Sequence, residues 1–552
     1  MKHPALCLFR SVLTAAFALG LAAQLTSCSS PQQRQHTKIT VIANSGSKQS
    51  QEHHLAEALA TAESCLQRGI DTPEQLARYN QAVEHAVLLW LAGSEQDLHQ
   101  QRLNVDSREG KPYQVQASWP AKLRFDRLIP SWTVKRGSLR KNIHRQGAGA
   151  PFVAQWEFTP KRSENEPFMS SKGYFASVTA TLDFQASESE RTIARLVIHN
   201  ANITPDVRLG GNKHTLNFDQ SALAEHLLAY DNEFSALGAL LRPHKYLDQI
   251  DLQTISPPDP DRLPVIFTHG LASEPRTWQN VYNELRSDPV LRERCQIYFF
   301  RYPSGVPVLY SAAQLRTKLA ELQQTLNQKQ TNRYSKQMML VGHSMGGLIT
   351  KTQVQDSGDT MWLNFIDYTQ NRVRLNDQQL AALQQYLIFK PNPHISRVLF
   401  IATPHRGSEL ADWWITRQFR KLIKGPGIIL RTPLMALDQD NTDQHAQSAI
   451  DKLFHSGIPT SMENLSPKSK FVKDTINLPL KKDLRIHSII GNLKGLDLND
   501  PECSDGVVPY TSAHLQQPDS ELVVPYGHSA HEHPMAIEEI RRLILLHLKE
   551  LK

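Results

Sequence analysis

Gly342-His343-Ser344-Met345-Gly346 follows the apolar run Met338-Met339-Leu340-Val341, so a serine stands between two glycines where a strand gives way to a helix-compatible stretch. A serine hydroxyl becomes a useful nucleophile when such a strand ends in a tight turn that lifts the oxygen clear of the backbone and points it at a base. The turn presses strand and helix together, so the positions two residues either side must be nearly devoid of side chain. Gly342 and Gly346 meet that demand, and His343 completes the turn.

The base and its orienting acid should follow in the order acid, then histidine, each on a loop after a later strand. Beyond the apolar stretch 484–490 comes Ser504-Asp505-Gly506-Val507-Val508-Pro509, an aspartate in a turn held by glycine and proline. Beyond 521–525 comes Tyr526-Gly527-His528-Ser529, then a closing amphipathic helix. His528 is expected to take the proton of Ser344, and Asp505 to fix the imidazole's tautomer. Asp497, Asp500 and Asp519 compete with Asp505; His531 and His533 compete with His528 and have a spacing sometimes used for metals. No second ligand cluster accompanies that pair, so no metal and no cofactor is expected.

An oxyanion formed at this serine needs backbone N–H donors. Met345, directly after the nucleophile, supplies one; Leu271, after the strand-like 264–268 and the turn His269-Gly270, is expected to supply the other. The acidic loop 497–502 has some calcium character, but Pro501 breaks the spacing of a calcium-binding loop.

Pro264 to Leu271, Gly342 to Gly347, Ala402-Thr403-Pro404-His405-Arg406-Gly407-Ser408, Ser504 to Pro509 and Gly527-His528 together resemble the α/β-hydrolase superfamily. More closely they resemble bacterial lipases and esterases, with similarity to the group that includes the GPI inositol-deacylase-like hydrolases. The resemblance covers about residues 245 to 552. It implies an α/β fold with a mostly parallel sheet, a Ser344, Asp505, His528 triad, oxyanion donors at Leu271 and Met345, and hydrolysis of carboxylic esters, lipid acyl esters among them. The same acyl-enzyme could pass its acyl group to an alcohol, which makes an acyltransferase the alternative. An envelope scaffold with a vestigial hydrolase half is a third reading.

Residues 1–27 read as a secretion signal, with Lys2 and Arg10 before an apolar core at 11–23 that is too short for a membrane span. Leu25-Thr26-Ser27-Cys28 matches a bacterial lipoprotein cleavage box, which implies a lipidated Cys28 and a membrane anchor. Ser29 is not the aspartate that retains lipoproteins at an inner membrane in some bacteria, so the outer membrane or cell surface is the expected location. Cys65, Cys295 and Cys503 remain, which permits one disulfide at most.

The chain has 552 residues, 40% hydrophobic, and a formal charge of +7 that becomes +5 without Lys2 and Arg10. That length allows several domains, and so mild a charge gives no sign of nucleic-acid binding. Residues 28–52 are polar and read as a tether. Apolar spacing predicts a helical hairpin over 53–110, period-two patterning an antiparallel β-rich domain over 111–220, and a catalytic domain over 221–552. Core strands are expected near 264, 296, 338, 397, 485 and 521, alternating with helices, after a helix at 221–241. The segment 409–482 exceeds what a crossover needs and reads as a cap or lid, with Trp413-Trp414 beside basic residues.

Overall fold

The computed structural model describes residues 42–44, 46–93, 102–106, 111–187, 190–200, 203–228, 235–327, 334, 336–369, 374–409 and 465–551. The expected signal segment 1–27, Cys28, most of the expected tether and residues 410–464 of the expected cap lie outside them. The chain divides into two compact units, one formed by 1–134, 144–156 and 176–222, the other by 135–143, 157–175 and 223–552.

In the first unit, helices α1 (Lys48–Arg68) and α2 (Pro73–Gly93) run side by side. Helix α1 begins inside the expected tether because Ser47 caps it, its hydroxyl accepting from the Ser50 N–H at 3.3 Å. A six-stranded sheet has the order β1 (Arg102–Val105), β2 (Tyr113–Ser118), β6 (Thr192–Asn200), β5 (Tyr174–Gln185), β4 (Ala150–Trp156), β3 (Arg127–Pro130). The expected purely antiparallel pattern fails at β2 and β6, which pair in parallel. These strands are far apart in sequence, so no hairpin dictates their direction.

Hairpin and sheet are not separate domains: Leu59, Val83, Val87 and Trp90 share one buried core with Val115, Phe152, Leu182 and Ile198. Within it the Tyr79 hydroxyl donates to the Leu182 carbonyl at 2.7 Å and accepts from the Leu182 N–H at 3.0 Å. One phenol thereby satisfies both polar groups of a buried strand residue.

The second unit carries a seven-stranded sheet in the order β7 (Asp251–Thr254), β9 (Cys295–Arg301), β8 (Leu263–Thr268), β10 (Met338–His343), β11 (Ile395–Ile401), β12 (Arg485–Gly491), β13 (Ser520–Val524). Six of these are the expected strands, and they pair in parallel. The short edge strand β7 runs antiparallel to β9.

Alternating residues of the parallel strands enter cores on opposite faces, as a pleat requires. Ile266, Leu340 and Phe400 pack with Leu315, Leu319 and Leu322 of helix α4 (Val308–Asn327). Phe267, Val341 and Leu399 pack with Val281 and Leu285 of helix α3 (Gln279–Ser287) and with Ile540, Leu543 and Ile544 of helix α6 (Pro534–Glu550). The single helix expected over 221–241 is two, Gln220–Leu228 and Ala236–Leu241. Among the described residues no helix is long and apolar enough to cross a membrane, and Cys65, Cys295 and Cys503 are buried and free.

Two core histidines have a thermodynamic consequence. His547 donates from Nε2 to the Gln337 carbonyl at 2.8 Å, and burial holds its pKa down at about 4. His487, buried beside the Arg397 guanidinium, is likewise held at about 4, burial being the larger cause. Between the ordinary value of 6.5 and about 4 the unfolded chain binds protons that the native state refuses. Both groups therefore stabilise the fold fully above pH 6.5, and that contribution is lost as pH falls through this window. The urea midpoint should drop between pH 7 and pH 5, and His547→Gln should make the drop shallower; an unchanged slope in the variant would contradict this account.

Candidate active site

At the carboxyl end of β10 the chain turns through Ser344 into helix α5 (Met345–Thr352). Ser344 has φ 54° and ψ −124°, a left-handed conformation that L-residues adopt only under constraint. The Ser344 N–H donates to the Ile401 carbonyl at 2.9 Å, tying the turn to the neighbouring strand. A Cβ on Gly342 would lie 2.6 Å from the Gly346 carbonyl oxygen, and one on Gly346 would collide with the carbonyl oxygens of His269 and Thr268. Strand and helix thus meet with no room for any side chain, as the spacing predicts.

Ser344, Asp505 and His528, spread over nearly two hundred positions, meet in series. His528 Nε2 lies 2.8 Å from Ser344 Oγ, and its Nδ1 lies 2.9 Å from Asp505 Oδ2. The other carboxylate oxygen, Oδ1, accepts from the N–H groups of Val507 at 2.8 Å and Val508 at 2.7 Å. A carboxylate only accepts, so Nδ1 of His528 carries the proton and Nε2 is free to accept from the serine hydroxyl. Asp505 is 2% exposed and Ser344 6% exposed, so the series is set into the protein at the strand ends.

The rivals are engaged elsewhere. Asp519 pairs with Arg485 at 3.0 Å and accepts from the Ile486 N–H. Asp497 and Asp500 accept from the backbone N–H groups of Asn499 and Glu502, as turn aspartates do. His531 is buried with Nε2 2.9 Å from Thr277 Oγ1, and His533 accepts from the Met535 N–H at the start of α6. His531 and His533 therefore face different partners.

One group of metal-capable atoms occurs among the described residues, at His53, His54 and Glu57 of α1. There His54 Nδ1 sits 2.8 Å from the Glu57 carboxylate, so hydrogen bonding accounts for the arrangement.

Leu271 and Met345, the expected oxyanion donors, lie on the two turns that meet at Ser344. Met345 opens α5, whose N-terminus brings the positive end of the helix dipole to the serine. Leu271 follows Gly270, where a Cβ would stand 3.0 Å from Ser344 Cβ. Residues that the sequence reading missed hold this loop. The Tyr302 hydroxyl donates to the His269 carbonyl at 2.7 Å, and the two rings stack at 4.3 Å. Ser304 Oγ accepts from the N–H of Ala272 at 3.0 Å, a residue itself at φ 52°. Both supports come from the turn after β9, and a strand-end Tyr-Pro-Ser-Gly was the available signal.

The loop 402–408 packs beside the site: Ser512 Oγ donates to the Gly407 carbonyl at 2.6 Å and accepts from the Arg406 N–H at 3.2 Å. His405, 1% exposed, turns its ring edge-on to Phe400, and burial among Lys351 and Arg406 holds it neutral.

No protein-family model matches the chain, and no curated protein does. Among solved structures it is similar to the lipase BlEst2 of Bacillus licheniformis in its mature form, at 18% identity over 53% of this chain and 93% of that one, with a TM-score of 0.30. EstA of Clostridium botulinum matches at 14% identity over 49% and 83% of the two chains, with a TM-score of 0.29. Phospholipase PlaB of Legionella pneumophila matches at 14% identity over 50% and 56%, with a TM-score of 0.30. Likenesses of this size carry no inference about activity.

Gly346→Ala should test the elbow's geometry. The added methyl must displace two backbone carbonyls, so the variant should lose roughly 1–3 kcal/mol of stability, read by urea unfolding; unchanged stability would show that helix and strand are not in contact there. By its strand order, its elbow and the order of its site residues along the chain, the second unit has the α/β-hydrolase fold.

Proposed function

We propose that this protein is a serine hydrolase that cleaves carboxylic esters, lipid acyl esters in particular, while tethered to a membrane through Cys28. The observation that carries the chemistry is the unbroken series from Asp505 through His528 to Ser344 on a strained elbow. In the reaction, Ser344 Oγ attacks the ester carbonyl carbon as its proton passes to His528 Nε2. The carbonyl oxygen, now an alkoxide, is met by the N–H groups of Leu271 and Met345. Collapse breaks the bond to the leaving alcohol, which takes the proton from Nε2 and leaves an acyl-serine. Water then repeats the sequence with Nε2 as base, freeing the carboxylic acid and restoring the serine. Every proton is moved by His528 and no external redox partner is needed.

Two further features support a lipid substrate. Leu493, Tyr526 and Met535 lie in or beside the loops of Asp505 and His528 and are 56%, 40% and 50% exposed. Large apolar side chains kept in water next to a site suit an apolar partner. The Leu25-Thr26-Ser27-Cys28 sequence supports acylation of the cysteine, which would keep the enzyme at a leaflet.

Ser344→Ala should abolish both fluorophosphonate labelling and turnover of an acetyl-to-palmitoyl ester series, by roughly 10⁶-fold, with an unchanged circular dichroism spectrum. Persistent labelling would place the nucleophile elsewhere. On the wild type, a rise in rate as long-chain ester passes its solubility limit is the expected sign of a lipid substrate; preference for acetyl ester would refute that part.

For the anchor, Cys28→Ala should move the protein from the membrane fraction to the soluble one, and continued sedimentation with membranes would refute the tether.

A further inference from the structure

His343 is the last residue of β10, directly before the nucleophile, and it is 6% exposed. Its Nε2 lies 2.8 Å from the main-chain carbonyl oxygen of His528. A carbonyl oxygen only accepts, so this nitrogen must carry the ring proton and Nδ1 must be bare. Nδ1 is buried without a partner and faces Gly270, where a Cβ would stand 3.1 Å away. The tautomer is thereby fixed by what surrounds it.

The ring is also caged. The imidazole of His531 stands 4.4 Å from it centroid to centroid and is itself held by Thr277, and Trp278 meets it edge-on at 6.3 Å. Burial, then the neighbouring imidazoles of His531 and His528, keeps His343 far below the usual histidine range. A neutral ring in this place adds no charge to oppose the imidazolium that forms on His528 during the reaction.

Hydrogen bonds thus grip His528 at three atoms: Nδ1 by Asp505, Nε2 by Ser344, and the main-chain oxygen by the residue adjacent to Ser344. The first two can swing with the side chain. The third fixes the backbone from which the side chain springs, so it sets the distance between base and nucleophile.

We propose that His343 is a positioning residue, a neutral Nε2–H strut that holds the main chain of His528 against the nucleophile turn. The inference rests on the reading of Ser344 as nucleophile. It specifies that the N–H is what matters, not the bulk of the ring, because only a donor grips a carbonyl.

The test compares His343→Gln, whose amide N–H₂ can reach the same oxygen, with His343→Leu, which fills volume without a donor. The readout is the second-order rate of Ser344 labelling by a fluorophosphonate, which needs no knowledge of the natural substrate. His343→Leu should label roughly 10- to 100-fold more slowly, the cost of a base misplaced by an ångström or less. His343→Gln should stay within about threefold of the unaltered protein, since it keeps the donor. With a soluble ester, the loss in His343→Leu should fall on kcat and leave KM within about twofold, as for an interaction that serves only the transition state.

Equal labelling rates in the Gln and Leu variants, fast or slow, would overturn the proposal. If His343→Leu does not fold, His343→Asn takes its place: its amide is too short to span the gap, so it should label at least about tenfold more slowly than His343→Gln, and equal rates would again overturn the idea. If the unaltered protein is not labelled while Ser344→Ala still hydrolyses ester, the serine reading itself has failed, and the strut with it.

Discussion

The left-handed backbone of Ser344 is the constraint on which the rest of the site depends. A side chain with a Cβ is held at φ 54° only if the surroundings forbid relaxation. Here the restraints are the Ile401 carbonyl on the serine N–H, the glycine contacts between β10 and α5, and the close passage of Gly270. Each comes from a different strand of the sheet. The parallel order β8, β10, β11 therefore does more than form a core: it supplies, from both sides, the backbone that keeps a high-energy turn in place.

Burial decides the electrostatics around that turn. His269, His343, His405 and His531 are all within a few per cent of complete burial, and in each the pKa is pushed down chiefly by loss of water. His528 differs in that its two ring nitrogens meet a carboxylate and a hydroxyl. The site thus holds several imidazoles in a neutral state and surrounds His528 with partners. That division follows from packing and hydrogen bonding, with no need for a specialised residue type.

Much of this was legible in the sequence because local rules and the fold agree. The central parallel strands hold continuous apolar runs, such as Met338 to Val341, which only a sheet buried on both faces can accept. Glycine spacing around Ser344 reports a contact within one turn, and Asp505 and His528 lie after later strands in the expected order. What escaped depends on long-range contact. Strand β7 has four residues and no strong pattern, and β2 and β6 choose parallel pairing across a long separation. Tyr302 and Ser304 act through a carbonyl and an amide of another loop, a relation that no spacing rule encodes. The tyrosine that joins hairpin to sheet, Tyr79, reaches Leu182 across 103 positions.

The two compact units are not consecutive in the chain. Residues 135–143 and 157–175 belong with the second unit although they are flanked by strands of the first. They are integral to it: Phe168 meets Tyr298 edge-on in its core, and Glu225 Oε1 gathers the N–H groups of Gly137, Ser138 and Leu139 at 3.0, 2.9 and 3.1 Å. No single cut can therefore free the second unit from the sequence before it, because excising the front removes pieces of the back. Synthesis on the ribosome carries the same implication: those pieces emerge long before β8 to β13, and must wait for them.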